Sequence, residues 1–193
     1  SSPLVKVLFV SSEAHPLVKT GGLGDVAGAL PRSLQAEGVD VRLLLPAYRH
    51  VLQQVESTKP LFSMGDLLGT GEVWLLQGYH PQVTVPIWLV DCPALFDRPG
   101  GPYQDEEGSD WADNGIRFSL FARAAALLGI SGALTGWRPD VLHLNDWQSG
   151  FVPLWLKHWG AERPATLFTV HNLQYQGRSE ERRVGKECRS RWS

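Results

Sequence analysis

Lys19-Thr20-Gly21-Gly22-Leu23-Gly24-Asp25-Val26 separates two segments of different periodicity. Before it lies Val5-Lys6-Val7-Leu8-Phe9-Val10, short, β-branched and nearly all apolar, the pattern of a strand covered on both faces. After it, Val26, Ala27, Leu30 and Leu34 share one face at helical period, so Leu23 to about Glu37 is expected to be a helix. A cation and two glycines at a helix start suit an anion. The glycines let backbone N–H groups approach it, the helix end adds partial positive charge, and the lysine adds a full one.

Working outward, Pro31 should kink the helix, because an interior proline costs ~3 kcal/mol. Gly38 should end it as a C-terminal cap. Val39 to Leu45 is the second strand, stopped by Pro46. A β-loop-α-β start predicts an α/β fold, a Rossmann-like parallel sheet with right-handed crossovers and helices on both faces. Glu72 to Gly78 and Val83 to Asp91 are expected as two strands of a hairpin around Tyr79-His80-Pro81-Gln82. Asp97 to Gly108 is a polar loop. Asn114 to Leu128 is helical, with Phe118, Phe121, Ala125 and Leu128 on one stripe. Asp140 to Leu144 is strand, Ser149 to Trp159 helix, and Ala165 to Val170 strand.

The chain has 193 residues, 43% hydrophobic and 20% charged, which suits one sizeable globular domain. No apolar run approaches the roughly 18 residues of a membrane span. Ser1-Ser2-Pro3-Leu4 leads almost at once into the first strand, so no signal peptide is expected. Cys92 and Cys188 form neither a disulfide framework nor a zinc site, and a reducing cytoplasm fits best. A net charge of −2 gives no electrostatic case for nucleic acid or an anionic membrane.

Arg178 to Ser193 stands apart. It lacks helical or strand periodicity and carries six basic and three acidic residues, leaving residues 1–177 with a net charge of −5. Arg178-Ser179-Glu180-Glu181 looks like a translated sequencing adapter. The expectation is one domain over 1–177, breaking off at Gly177, and a foreign, disordered tail over 178–193; a native basic tail is the alternative.

Ligands of open parallel sheets bind beyond the carboxyl ends of the strands. The first strand leads to Ser12-Glu13 and Lys19. The strand at Val141 leads to Asn145-Asp146-Trp147-Gln148, and the strand at Thr166 leads to His171-Asn172-Leu173. A lysine, a carboxylate and a histidine should therefore meet on one rim, although each alone has an ordinary structural explanation. The expected ligand of the Lys19 loop is the diphosphate side of a sugar nucleotide. A plain strand-to-helix turn with a surface lysine is the alternative. Gly22-Leu23-Gly24-Asp25-Val26-Ala27 also fits the dinucleotide fingerprint G-x-G-x-x-A. The glycines, however, begin eleven residues after Val10, and the second strand ends in Leu45-Pro46 without an acidic residue for a ribose.

The Lys19–Val26 stretch, Leu44-Leu45-Pro46, Asp97-Arg98-Pro99-Gly100-Gly101-Pro102-Tyr103 and Asp113-Asn114 with Arg117-Phe118 resemble the glycogen/starch synthases. So do Trp137-Arg138-Pro139-Asp140-Val141-Leu142-His143, Asp146-Trp147-Gln148 and Phe168-Thr169-Val170-His171-Asn172-Leu173 through Tyr175-Gln176-Gly177. The resemblance implies the N-terminal, acceptor-side half of a two-domain GT-B glycosyltransferase of the bacterial ADP-glucose type. Its partners would be an ADP-glucose donor, an α-1,4-glucan acceptor such as glycogen, and a C-terminal domain that supplies most donor contacts. Transfer would proceed with retention, and this chain alone would be inactive. The resemblance implies Lys19 on the donor diphosphate, with Gly21 and Gly22 giving close backbone approach. It implies His171 beside the transferred glucose, Asp146 in the glucose and acceptor region, and Tyr103 and Asn114 on the acceptor side. No metal cluster and no cofactor is expected.

Three other readings stay open on sequence: another GT-B nucleotide-sugar transferase, a noncatalytic glucan-binding module using Trp88, Trp111 and Trp147, and, more remotely, a nicotinamide dehydrogenase. The Lys19 loop and the His171 motif argue against the first. Core or cleft packing of the tryptophans argues against the second.

Overall fold

The strand Lys6–Val10 (β1) is the point from which the sheet grows in both directions. The computed structural model describes residues 4–146, 152–159 and 164–170. On one side β1 pairs in parallel with Asp40–Pro46 (β2), Val10 opposite Leu44. On the other it pairs in parallel with Val141–Asn145 (β6), Val10 opposite Leu144. Leu8, Phe9 and Val10 are fully buried, as a strand covered on both faces must be.

The sheet has seven strands in the order β3-β4-β5-β2-β1-β6-β7. Val83–Asp91 (β5) continues the parallel part beyond β2, and Ala165–Thr169 (β7) continues it beyond β6. Glu56–Gly65 (β3) and Val73–His80 (β4) then add an antiparallel edge, so the sheet is mixed. The expected hairpin is present, with His80 opposite Val83 and Pro81-Gln82 at the turn. β3 was not expected. It is mostly exposed and bulged, and only Leu61, Phe62 and Met64 pack against the core, so it leaves no regular alternation of apolar residues to detect. Its Pro60 is of the kind that only edge strands or bulges accept.

Gly22–Ala36 (α1) crosses from β1 to β2. Pro31 lies inside it and is buried, yet the helix runs uninterrupted through that position. Packing of the buried face offsets the missing N–H donor. Gly38 ends the helix as expected, at φ +89°, with its N–H donating to Gln35 O (3.0 Å) and the Val39 N–H donating to Leu34 O (3.0 Å). Those two bonds form a Schellman cap, and Leu34 and Val39 both pack on the core.

Three short helical turns were not resolved by sequence pattern: Arg49–Leu52 (α2), Pro93–Phe96 (α3) and Gly132–Thr135 (α5). The long helix Asn114–Ile130 (α4) buries more than its expected stripe, since Leu120, Ala122, Ala124 and Ala126 are also inaccessible. It packs against Val152–Trp159 (α6) and lies close on β6. A Cβ at Gly129 would sit 2.9 Å from Leu142 Cδ1. The β1-α1-β2 and β6-α6-β7 units run away from each other, so right-handed crossovers put α1 and α6 on opposite faces. The chain order therefore reverses between β1 and β6. The carboxyl ends of those two strands open the crevice where such sheets bind ligands.

Candidate active site

The two strands at the reversal point are tied together at their carboxyl ends. Asn145, fully buried, donates from Nδ2 to Val10 O (2.9 Å), while on the other side of β1 the Ser11 N–H donates to Leu44 O of β2 (3.1 Å). Past these bonds the chain delivers two buried carboxyl side chains to the rim, Glu13 after β1 and Asp146 after β6. Asp146 adopts φ +59°, a left-handed conformation that Asp tolerates better than most residues, and its N–H donates to Thr169 O (2.9 Å). The turn at Asp146 is thereby fixed to the ends of both β6 and β7.

Glu13 organises the glycine loop. Ala14 and Val18 exchange backbone bonds of 2.9 and 3.0 Å, folding residues 14–18 back so that Thr20 and Gly21 return to the Glu13 carboxylate. Its Oε1 accepts the Thr20 N–H (2.6 Å) and the Gly21 N–H (3.3 Å). Its Oε2 accepts the Thr20 hydroxyl (2.9 Å) and the Tyr103 hydroxyl (2.6 Å). A carboxylate only 4% exposed is sustainable because donors surround it.

Gly21 is the N-cap of α1 in extended backbone. With its N–H directed at Glu13, the donors left at the helix start are the N–H groups of Gly22 and Leu23, which find no acceptor inside a helix. Lys19 lies alongside them. Its Nζ pairs with Asp25 Oδ2 at 3.0 Å on the surface, and its stem crosses Gly24. A Cβ at Gly24 would lie 2.7 Å from Lys19 Cγ and 2.9 Å from Lys19 Cβ. Gly24 therefore serves the close approach of the lysine, not a dinucleotide turn.

The opposite wall comes from the loop before α4. Arg98 forms a two-pronged pair with Asp113 at 2.7 and 2.6 Å, the tightest geometry an arginine can offer a carboxylate. That hydrogen bond holds the Asp113 carboxyl below its ordinary range and raises Arg98. Arg117, 1% exposed, donates to Leu95 O (2.7 Å), Pro102 O (2.8 Å) and Asn114 Oδ1 (2.8 Å), and burial lowers its pKa. Asn114 Nδ2 in turn donates to Tyr103 O (2.9 Å). Tyr103 is thus gripped at its backbone by Asn114 and at its hydroxyl by Glu13 and Ser12 Oγ (2.6 Å). Desolvation first, then the nearby Tyr48 and Glu13, push its phenol well above the ordinary value.

Gly21, Tyr103 and Asn114 are accordingly joined through Glu13 in one hydrogen-bonded network, while Lys19, paired with Asp25, and Gly22 lie beside it at the start of α1. Asp146 stands at the end of the neighbouring strand on the same rim. His171 and Trp147 lie outside the described residues, as does the stretch 178–193; β7 ends at Thr169, so the chain reaches this rim just before position 171. Trp88 is 1% exposed, donates to Gln77 Oε1 (3.2 Å) and meets Trp137 edge-on, so it is core. Among the described residues no group of three or more His, Cys, Asp or Glu could hold a metal, and no helix is long and apolar enough to cross a membrane. Sequence reasoning did not single out Glu13 or Arg117 as organisers. The available signal was a carboxylate three residues past the end of a buried strand.

The fold defines an α/β domain whose strand order reverses between β1 and β6, with the buried carboxyl groups of Glu13 and Asp146 at the ends of those two strands. The family model described as the starch synthase catalytic domain matches residues 6–192. The chain is 54% identical over 173 residues to glycogen synthase of Rhodospirillum rubrum, covering 90% of this chain and 36% of that protein. It is 55% identical over 175 residues to glycogen synthase of Paramagnetospirillum magneticum, covering 90% and 35%. A solved structure, the catalytic domain of starch synthase IV from Arabidopsis thaliana bound to ADP and acarbose, is similar at a TM-score of 0.67 and 29% identity, covering 90% of this chain and 35% of that one. The chain belongs to the starch synthase catalytic domain family. It spans about 35% of the length of the relatives it matches.

Proposed function

We propose that this chain forms the acceptor-side half of a retaining GT-B glycosyltransferase that moves glucose from ADP-glucose to the non-reducing end of an α-1,4-glucan. The observation that carries the reading is the Glu13-anchored Lys19–Gly22 loop beside Asp146 at the point where strand order reverses. Two further facts support it: the similarity to glycogen synthases, and a similar starch synthase bound to ADP and acarbose.

Under this reading Lys19 and the N–H groups at the start of α1 meet the donor diphosphate. The leaving ADP gains negative charge as the glycosidic C–O bond breaks, so fixed positive charge there lowers the barrier. The sugar becomes oxocarbenium-like, and the carboxyl of Asp146 and the imidazole of His171 serve the glucose and acceptor region. Tyr103 and Asn114 shape the acceptor side. The proposed setting is a bacterial cytoplasm, where ADP-glucose and glycogen would meet the enzyme.

The reading expects negligible transfer by the 193-residue chain alone, because the second domain implied by the resemblance supplies most donor contacts. The test is a hybrid enzyme in which the 173 matched residues of this chain replace their counterparts in the Rhodospirillum rubrum synthase. Incorporation of radiolabelled glucose into glycogen is expected. A folded hybrid that binds glycogen but transfers nothing contradicts the reading and favours a noncatalytic glucan-binding role.

A further inference from the structure

We propose that Glu13 is a positioning residue that couples the acceptor-side loop at Tyr103 to the donor-side loop at Thr20–Gly21, so that the order of one depends on the order of the other. The inference rests on the assignment of those two loops under Proposed function. Among the described residues Glu13 has no ion-pair partner, so its buried charge is sustained by hydrogen-bond donors alone. Three of these come from the donor side, the Thr20 N–H, Thr20 hydroxyl and Gly21 N–H. The fourth is the Tyr103 hydroxyl, from 90 residues further along the chain.

The two sides share the same oxygen, since Oε2 takes both hydroxyls. A group that drew the Tyr103 hydroxyl away would leave that oxygen with one donor and weaken the whole cradle, because a half-satisfied buried carboxylate is costly. The acceptor side is itself braced. Tyr103 packs on Phe118 with ring centres 5.7 Å apart, and Asn114, itself held by Arg117, ties the Tyr103 carbonyl to α4. A continuous route of packed and bonded groups therefore runs from α4 through Tyr103 and Glu13 to the start of α1. Tyr48 secures the middle of it by donating to Ser12 O (2.9 Å).

Amide hydrogen exchange on the full 193-residue chain reads the coupling directly. Tyr103→Phe removes one oxygen atom from the acceptor side. It is expected to speed exchange at the Thr20 and Gly21 amides about fivefold while leaving β2 amides unchanged. Coupling is reciprocal, so Thr20→Val should speed exchange at the Gly101 and Trp111 amides, which bond Gln104 O and Tyr103 O. In the hybrid enzyme, Glu13→Gln should raise KM for both ADP-glucose and glycogen, with a smaller change in kcat. Unchanged exchange at both remote loops would overturn the coupling, as would a Glu13→Gln hybrid in which only one KM moves. A hybrid without transfer would count against the proposed function alone, because the exchange arms decide the coupling by themselves.

Discussion

The Tyr103 hydroxyl and the Glu13 carboxylate meet at 2.6 Å across a separation of 90 residues, and that bond joins the two walls of the candidate site. One wall is the return of the chain after β1. The other is the loop that leads into α4. Neither is regular secondary structure, so the site depends on a few buried polar groups for its shape.

Arg117 is the most sensitive of these. Its guanidinium bonds two backbone carbonyls and Asn114 from a position 1% exposed. Arg117→Met should cost about 3 kcal/mol in urea unfolding, since it strands acceptors in the core. Arg117→Lys should recover little of this, because an ammonium cannot match a planar fork.

Gly24→Ala tests the close approach of the lysine stem. Alanine in a helix is ordinarily favoured over glycine by about 1 kcal/mol. Here the new Cβ would fall 2.7 Å from Lys19 Cγ, so the stem must move. The melting temperature should not rise, and donor KM in the hybrid enzyme should increase. A rise in melting temperature with unchanged donor KM would mean that the approach does not matter.

The Arg98–Asp113 pair sets an acid limb. Asp113 is held below its ordinary range by Arg98, so it contributes stability above the unfolded Asp value, about pH 4. That contribution is lost as pH falls through the folded value. Asp113→Asn should therefore be destabilised by about 1 kcal/mol at neutral pH, with the gap to wild type closing in acid. Unfolding free energies measured across pH 2 to 7, as a rough range, check the sign.

The surface pair Lys19–Asp25 should behave oppositely. Its side chains are 45% and 60% exposed, so Asp25→Asn should change stability by no more than about 1 kcal/mol. Added salt should shrink even that difference. A larger, salt-insensitive loss in thermal unfolding would assign the pair a structural role.

Much of this arrangement is legible in the sequence. The parallel strands announced themselves because burial on both faces leaves unbroken apolar runs, as at Leu43 to Leu45. Gly38 marked the end of α1 because a positive φ there favours glycine. The Lys19 loop and Asp146 were legible as strand-end residues. Pro31 sits inside α1 in a buried position, so its local cost is accommodated by packing there. β3 was silent because bulges break the period of its few core-facing residues, Leu61, Phe62 and Met64. Glu13 was passed over because its importance lies in partners brought together by folding: Thr20 and Gly21 by a reversed loop, Tyr103 by the sheet.

The most direct test of the central claim is kcat/KM for ADP-glucose in the hybrid enzyme with Lys19→Ala. Lys19 is a surface side chain, so the melting temperature should be unchanged while kcat/KM falls roughly a hundredfold. An unaltered kcat/KM in a folded, active hybrid would contradict the assignment of this loop to the donor diphosphate.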